Sequence, residues 1–139
     1  MKKIVIFIVI VLLILLIIII PKKKEDGAVK NSISVLINDK KYSLVLEDNN
    51  AVRSLLDKLP LEFNMNELNG NEKYAYMDFN LPTNSYKPNN IEKGDVMLFG
   101  DNCLVIFYKS FTTTYSYTKI GHINNLDDLD NSSILVRFE

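Results

Sequence analysis

Apolar and polar residues follow two regimes along this chain. Ile4 to Ile20 is an unbroken run of 17 apolar residues, with Lys2 and Lys3 before it and, after Pro21, Lys22, Lys23 and Lys24 behind it. As a helix it spans about 26 Å, near the thickness of a hydrocarbon core. A soluble amphipathic helix keeps a polar face, and this run has none. A cleaved signal peptide would need a shorter apolar stretch and small residues at its cleavage site. Here the run ends Ile17 to Ile20 and Pro21, and no cysteine follows it to carry a lipid. The pattern predicts a retained single-pass anchor over residues 1–21, with the lipid bilayer as partner through Ile4 to Ile20. The flanking lysines nearly balance, but the very short leading segment favours a cytoplasmic N-terminus and a C-terminal domain outside the cytoplasm.

After a polar linker over residues 22–31, the pattern changes to short alternating runs. Ile33 to Ile37 and Tyr42 to Leu46 read as strands joined by the turn-forming stretch Asn38 to Lys41. Glu47 to Asn50 offers helix-capping residues. Val52, Leu55, Leu56 and Leu59 then recur at helical spacing until Pro60, so a short helix plugs one side of the sheet. Leu61 to Met65 alternates, Asn69-Gly70-Asn71 is a turn, and Tyr74 to Phe79 is a further strand before an irregular loop from Leu81 to Asn90. Asp95 to Phe99 and Cys103 to Tyr108 flank Gly100-Asp101-Asn102 as a hairpin. Tyr115 to Ile120 and Ile134 to Phe138 complete the strands, with a single helical turn expected at Leu126 to Leu129. About eight short strands with one definite helix, evenly punctuated, predict a mainly β, closed barrel over residues 32–139.

Composition narrows the chemistry. Six of the 16 basic residues and two of the 17 acidic ones precede Asn31, so the remainder carries a formal charge of about −5. That acidity argues against nucleic acid as a partner. Cys103 is the only cysteine, which excludes an internal disulfide and a cysteine-based zinc site. Its apolar neighbours make it a small buried hydrophobe rather than a reactive thiol. His122, the sole histidine, has no nucleophile motif beside it and reads as a surface or rim residue. Asp127, Asp128 and Asp130 lack the rest of a calcium loop and read as a turn before the last strand. Glu72 and Asp95 read as turn or strand-end residues rather than a catalytic pair. No metal and no cofactor is expected. The aromatic set is richer: Tyr74, Tyr76, Phe107, Tyr108, Phe111, Tyr115 and Tyr117 lie in or beside the central strands. Some fill the barrel, and the rest are available to line a groove for a peptide or a small apolar ligand. The candidate pocket residues are Tyr74, Tyr76, Phe107, Tyr108, Tyr115 and Tyr117.

The order of short segments resembles a known group. Ile37-Asn38-Asp39-Lys40-Lys41-Tyr42 is followed by Leu46-Glu47-Asp48-Asn49, which opens a helix ending Leu59-Pro60-Leu61. Then come Glu72-Lys73-Tyr74, Lys93 to Gly100, Ile106 to Lys109, and Tyr117 to Gly121. The series is similar to the small bacterial and archaeal cyclophilin-like fold proteins. That resemblance implies a closed eight-stranded barrel with helices at its ends. It does not carry over peptidyl-prolyl isomerase activity, because true cyclophilins place an arginine beside a Phe-His pair. Here there is no Phe-His-Arg and no tryptophan. The arginines are Arg53, which sits off the apolar stripe of the predicted helix, and Arg137 near the terminus. Three functions stay open: a membrane-tethered binding module without catalysis, an extracytoplasmic isomerase or foldase with an altered site, and an interaction subunit of a membrane complex.

Overall fold

The computed structural model describes residues 31–139, so the expected anchor and nearly all of the linker lie outside the described residues. No helix among the described residues is long and apolar enough to cross a membrane. The strands are β1 (Ser32–Ile37), β2 (Lys40–Leu46), β3 (Leu61–Leu68), β4 (Glu72–Tyr76), β5 (Asn90–Ile91), β6 (Asp95–Phe99), β7 (Cys103–Phe107), β8 (Phe111–Thr112), β9 (Thr118–Ile123) and β10 (Ile134–Phe138). One helix, α1 (Asn50–Leu56), lies between β2 and β3. Eight strands close antiparallel in the order β1-β10-β3-β4-β7-β6-β9-β2, and β5 pairs with β8 outside the barrel. Closure leaves no free sheet edge in the barrel, as its sequence pattern predicts.

Local chemistry sets the corners. Asn38 and Asp39 both adopt positive φ, 46° and 68°, the conformation a tight hairpin requires. The Asn38 side chain then accepts the Leu135 N–H at 3.0 Å, tying this turn to β10. Asn49 caps α1 by accepting the Val52 N–H at 2.9 Å, and its amide donates to the Lys119 carbonyl at 2.8 Å. Ala51, Val52 and Leu55 face inward, so the helix stoppers the barrel at the Leu46 end. Gly121 is needed where β9 crosses β2, because a Cβ there would lie 2.1 Å from the Val45 carbonyl oxygen.

The segment between β9 and β10 stoppers the opposite end with Leu126 and Leu129. The helical turn expected at Leu126 to Leu129 is not formed. One isolated turn cannot offset its nucleation cost, and tertiary bonds claim these residues. Asp127 bonds Lys40 and Tyr42, and Asp128 bonds Lys93. Beneath them Lys73 is fully buried inside the barrel. Its ammonium donates to the carbonyls of Asp130 at 2.6 Å and Ser132 at 2.7 Å. It lies 3.6 Å from the Glu67 carboxylate and 4.7 Å from the centre of the Tyr108 ring. The Tyr108 hydroxyl donates to Glu67 Oε1, while Glu67 Oε2 is buried without a donor.

Two strand boundaries also shift. β4 begins at Glu72 and ends at Tyr76; the Met77 N–H still reaches the Asn102 carbonyl in the same register, and beyond it the chain leaves the barrel. β9 begins at Thr118 and carries an irregularity at Ile120, where Val96 pairs with Gly121 and Met97 with Lys119. Tyr117 instead pairs with Tyr86 in an isolated bridge.

The Lys73 network is expected to be costly to break and cheap to replace. Lys73→Ala, which strands Glu67 in the interior, should destabilise the chain by about 3–5 kcal/mol in urea unfolding. Pairing Lys73→Met with Glu67→Gln should recover roughly half or more of that loss. A single variant that unfolds like the parent would refute the role given to this ion pair.

Candidate functional site

In β6 and β7 the alternation of buried and exposed positions disappears. Val96, Leu98, Leu104 and Ile106 point into the barrel, whereas Met97, Cys103, Val105 and Phe107 point outward and are also buried. A strand buried on both faces must be covered from outside. The cover comes from the long excursions at residues 77–94 and 108–117, clamped together by β5–β8 and by the paired amides and carbonyls of Tyr86 and Tyr117. Ile91, Tyr117, Phe111 and Tyr74 complete this second apolar cluster on the outer wall.

The cover is incomplete, and the remainder is a cavity of about 520 Å³, a size typical of small-molecule and side-chain sites. Cys103, Val105 and Tyr117 form its buried base. Leu68, Tyr76, Phe99 and Tyr115 form an exposed apolar rim; Tyr76 is 67% exposed and Tyr115 64%. Asn69, Asn71 and Glu72 supply one polar side, and Thr112 to Thr114 another. Rings interlock by their edges. Phe99 sits 6.1 Å from Tyr115 and 5.8 Å from Tyr117, and Tyr74 sits 6.0 Å from Tyr76, centre to centre. Edge-to-face packing of this kind holds the walls in fixed orientation.

Four of the six pocket candidates, Tyr74, Tyr76, Tyr115 and Tyr117, line this cavity. Phe107 lies beneath it, fully buried, and braces Phe111 at 5.5 Å and Tyr117 at 5.6 Å. Tyr108 does not join them. Adjacent strand positions face opposite ways, so Tyr108 enters the barrel end with Lys73 and Glu67. There burial and its bond to Glu67 push the phenol up to about 12.

Glu72 sits at a strand end, as its position suggested, at the start of β4 opposite Phe107, and it also forms part of the cavity wall. Burial, reinforced by nearby Glu67, raises its carboxyl above the ordinary value. Cys103 is buried as expected, but at the cavity base, where burial and then Glu72 push its thiol up to about 11. Leu68, Phe99, Asn69, Asn71 and Thr112 to Thr114 were not singled out by sequence reasoning. The legible signal for this wall was the uninterrupted apolar run of β7, where a one-sided strand would alternate.

The other candidates sit elsewhere. Arg53 is exposed on α1, bonded to Asp48 at 2.6 Å and Asn50 at 3.3 Å. Arg137 pairs with Glu139 on the outside of β10. Neither lines the cavity. His122 Nδ1 lies 3.0 Å from Oδ1 of buried Asp95, which also accepts the Glu92 N–H at 2.9 Å. Asp95 thus acts at a strand start, as its position suggested. Gly94 lets the chain pass there: its φ is +100°, and a Cβ would meet the Ile123 carbonyl at 2.4 Å. Asp127, Asp128 and Asp130 are engaged with Lys40, Lys93 and Ser132, and no metal-binding cluster occurs among the described residues.

A family model described as the Cyclophilin-like family matches residues 35–139. No curated protein and no solved structure matches the chain.

Two outcomes follow from the wall chemistry. With its pKa moved from 9.0 to about 11, Cys103 carries about a hundredfold less thiolate at neutral pH than an ordinary thiol. Iodoacetamide labelling should be slower by at least that factor and accelerate as pH climbs toward 11; ordinary reactivity at pH 7 would contradict this. For Glu72 the folded-state pKa lies above the unfolded one, so ionisation opposes folding. The penalty appears as pH rises through the interval between those values and is complete above it. Glu72→Gln should therefore stabilise the fold at neutral pH, by less than about 0.5 kcal/mol after solvent screening. That gain should vanish below the ordinary carboxylate range.

Proposed function

This chain belongs to the cyclophilin-like family, and we propose that its barrel is a non-catalytic binding module, held at a membrane, whose outer-wall cavity takes a peptide segment or a small apolar ligand. The observation that carries this reading is the rim. Of the large apolar side chains exposed on the described surface, Leu68, Tyr76, Phe99 and Tyr115 surround a single cavity. Scattered exposed apolar residues need no explanation, whereas a contiguous set around a concavity with a few polar groups is the usual form of a binding site. Tyrosines suit this task, since they offer large contact area, little rotamer freedom to lose and a polar tip.

Membrane tethering rests on the apolar run Ile4 to Ile20 with its lysine collars, and the extracytoplasmic placement of the barrel rests on the brevity of the segment before it. Binding is favoured over prolyl isomerisation by the placement of the arginines. Isomerisation needs a donor aimed at the amide of a bound proline, and both guanidinium groups pair with carboxylates away from the cavity.

The test uses the full chain in detergent micelles and a pool of blocked, fluorescent heptapeptides read by polarisation. Binding should be saturable, and Tyr76→Ala with Tyr115→Ala should weaken it about tenfold. The unfolding midpoint should fall only slightly, because both rings are largely exposed and each gives up one edge contact. If the double variant binds every peptide as the parent does, the cavity is not the site. Carbonate washing of cell membranes should leave the protein in the pellet, and protease added outside the cytoplasm should digest the barrel; release by carbonate would remove the anchor from this account.

A further inference from the structure

We infer that the outer-wall cavity recognises a basic side chain, the ammonium of a lysine or the guanidinium of an arginine, presented by an extended segment of another polypeptide. The inference rests on the binding reading above and specifies its ligand.

Three features of the wall converge on a cation. Glu72 is the only wall residue with an acidic or basic side chain. Its carboxyl feels burial and the like charge of Glu67, and among the described residues no cation offsets them. A half-buried carboxylate left in this way lacks its complement. Second, Asn71, adjacent in the wall, has its Oδ1 buried without a hydrogen-bond donor. Buried acceptors are normally satisfied, so this side of the cavity is short of donors. A lysine or arginine head carries several donors and no acceptor. Third, the rings of Tyr74, Tyr76 and Tyr117 border the same space, and aromatic faces attract cations.

A neutral apolar ligand would bury Glu72 further with nothing to compensate it, and an anion would be repelled. The net charge of about −5 beyond Asn31 draws basic partners from a distance. The polypeptide character of the occupant comes from the rim. Tyr76, Phe99 and Tyr115 extend apolar surface outside the cavity, where residues flanking an inserted side chain would rest. The aliphatic stem of lysine or arginine suits the passage between such rings.

The experiment compares blocked pentapeptides Ala-Leu-Xaa-Leu-Ala with Xaa lysine, arginine, norleucine or glutamate, together with acetyl-lysine methylamide, on the full chain in detergent. Lysine and arginine peptides should bind about tenfold more tightly than norleucine, with glutamate weakest. Glu72→Gln should abolish that preference by weakening the lysine and arginine peptides, with norleucine bound at least as tightly as by the parent. Equal binding of lysine and norleucine would overturn the cation inference and leave the binding module standing. Failure of every peptide to bind would remove both. Acetyl-lysine methylamide binding as tightly as the lysine pentapeptide would overturn the polypeptide occupant in favour of a small amine.

Discussion

The structure depends on one constraint: the hairpin of β6 and β7 is apolar on both faces. Inward, Leu104 and Ile106 complete the barrel core; outward, Cys103, Val105 and Phe107 would otherwise meet water. Removing apolar surface of this size from water is worth roughly 25 cal/mol for each Å². That free energy drives residues 77–94 and 108–117 onto the wall although they hold only the two-residue strands β5 and β8. Loops of that length normally stay in solvent because their backbone groups need partners. Here the partners are supplied pairwise: Tyr86 with Tyr117, Leu81 with Asp101, Thr113 with Asn89. The cavity is what this cover leaves unfilled, so its location follows from the hairpin rather than from any motif.

How much of this was legible in the sequence depends on the distance over which each feature is determined. Hairpin turns are local: Asn38-Asp39 and Asn69-Gly70 carry their own conformational preference, so the β1–β2 and β3–β4 corners were readable. Periodicity gave α1 and most strands, and it gave barrel closure through their number and spacing. Periodicity does not say which face is the interior, and so Tyr108 was grouped with residues it never meets. The turn at Leu126 to Leu129 failed for the complementary reason. Its residues answer to Lys40, Tyr42 and Lys93, all distant in sequence. Phe99 and Thr112 to Thr114 were invisible as wall residues because only the fold of the cover brings them to β4 and β7.

β4 sets two charged residues side by side and treats them in opposite ways. Lys73 points inward and is wholly buried, yet its ammonium has two carbonyl acceptors, a carboxylate and an aromatic face. It joins the segment before β10 to the β3–β4 hairpin and so closes one barrel end. Glu72 points outward, is only half-buried, and has neither donor nor cation beside it. Full burial of a charge is tolerable when every donor is met, and partial burial is unfavourable when none is. The same strand therefore shows that this fold can satisfy a charge where structure requires it. A carboxylate without an ion-pair partner one residue away, in the wall of the cavity with the exposed aromatic rim, is not needed to hold the barrel together. Groups that oppose folding persist where they contribute to binding, and Glu72 stands where an incoming cation would meet it.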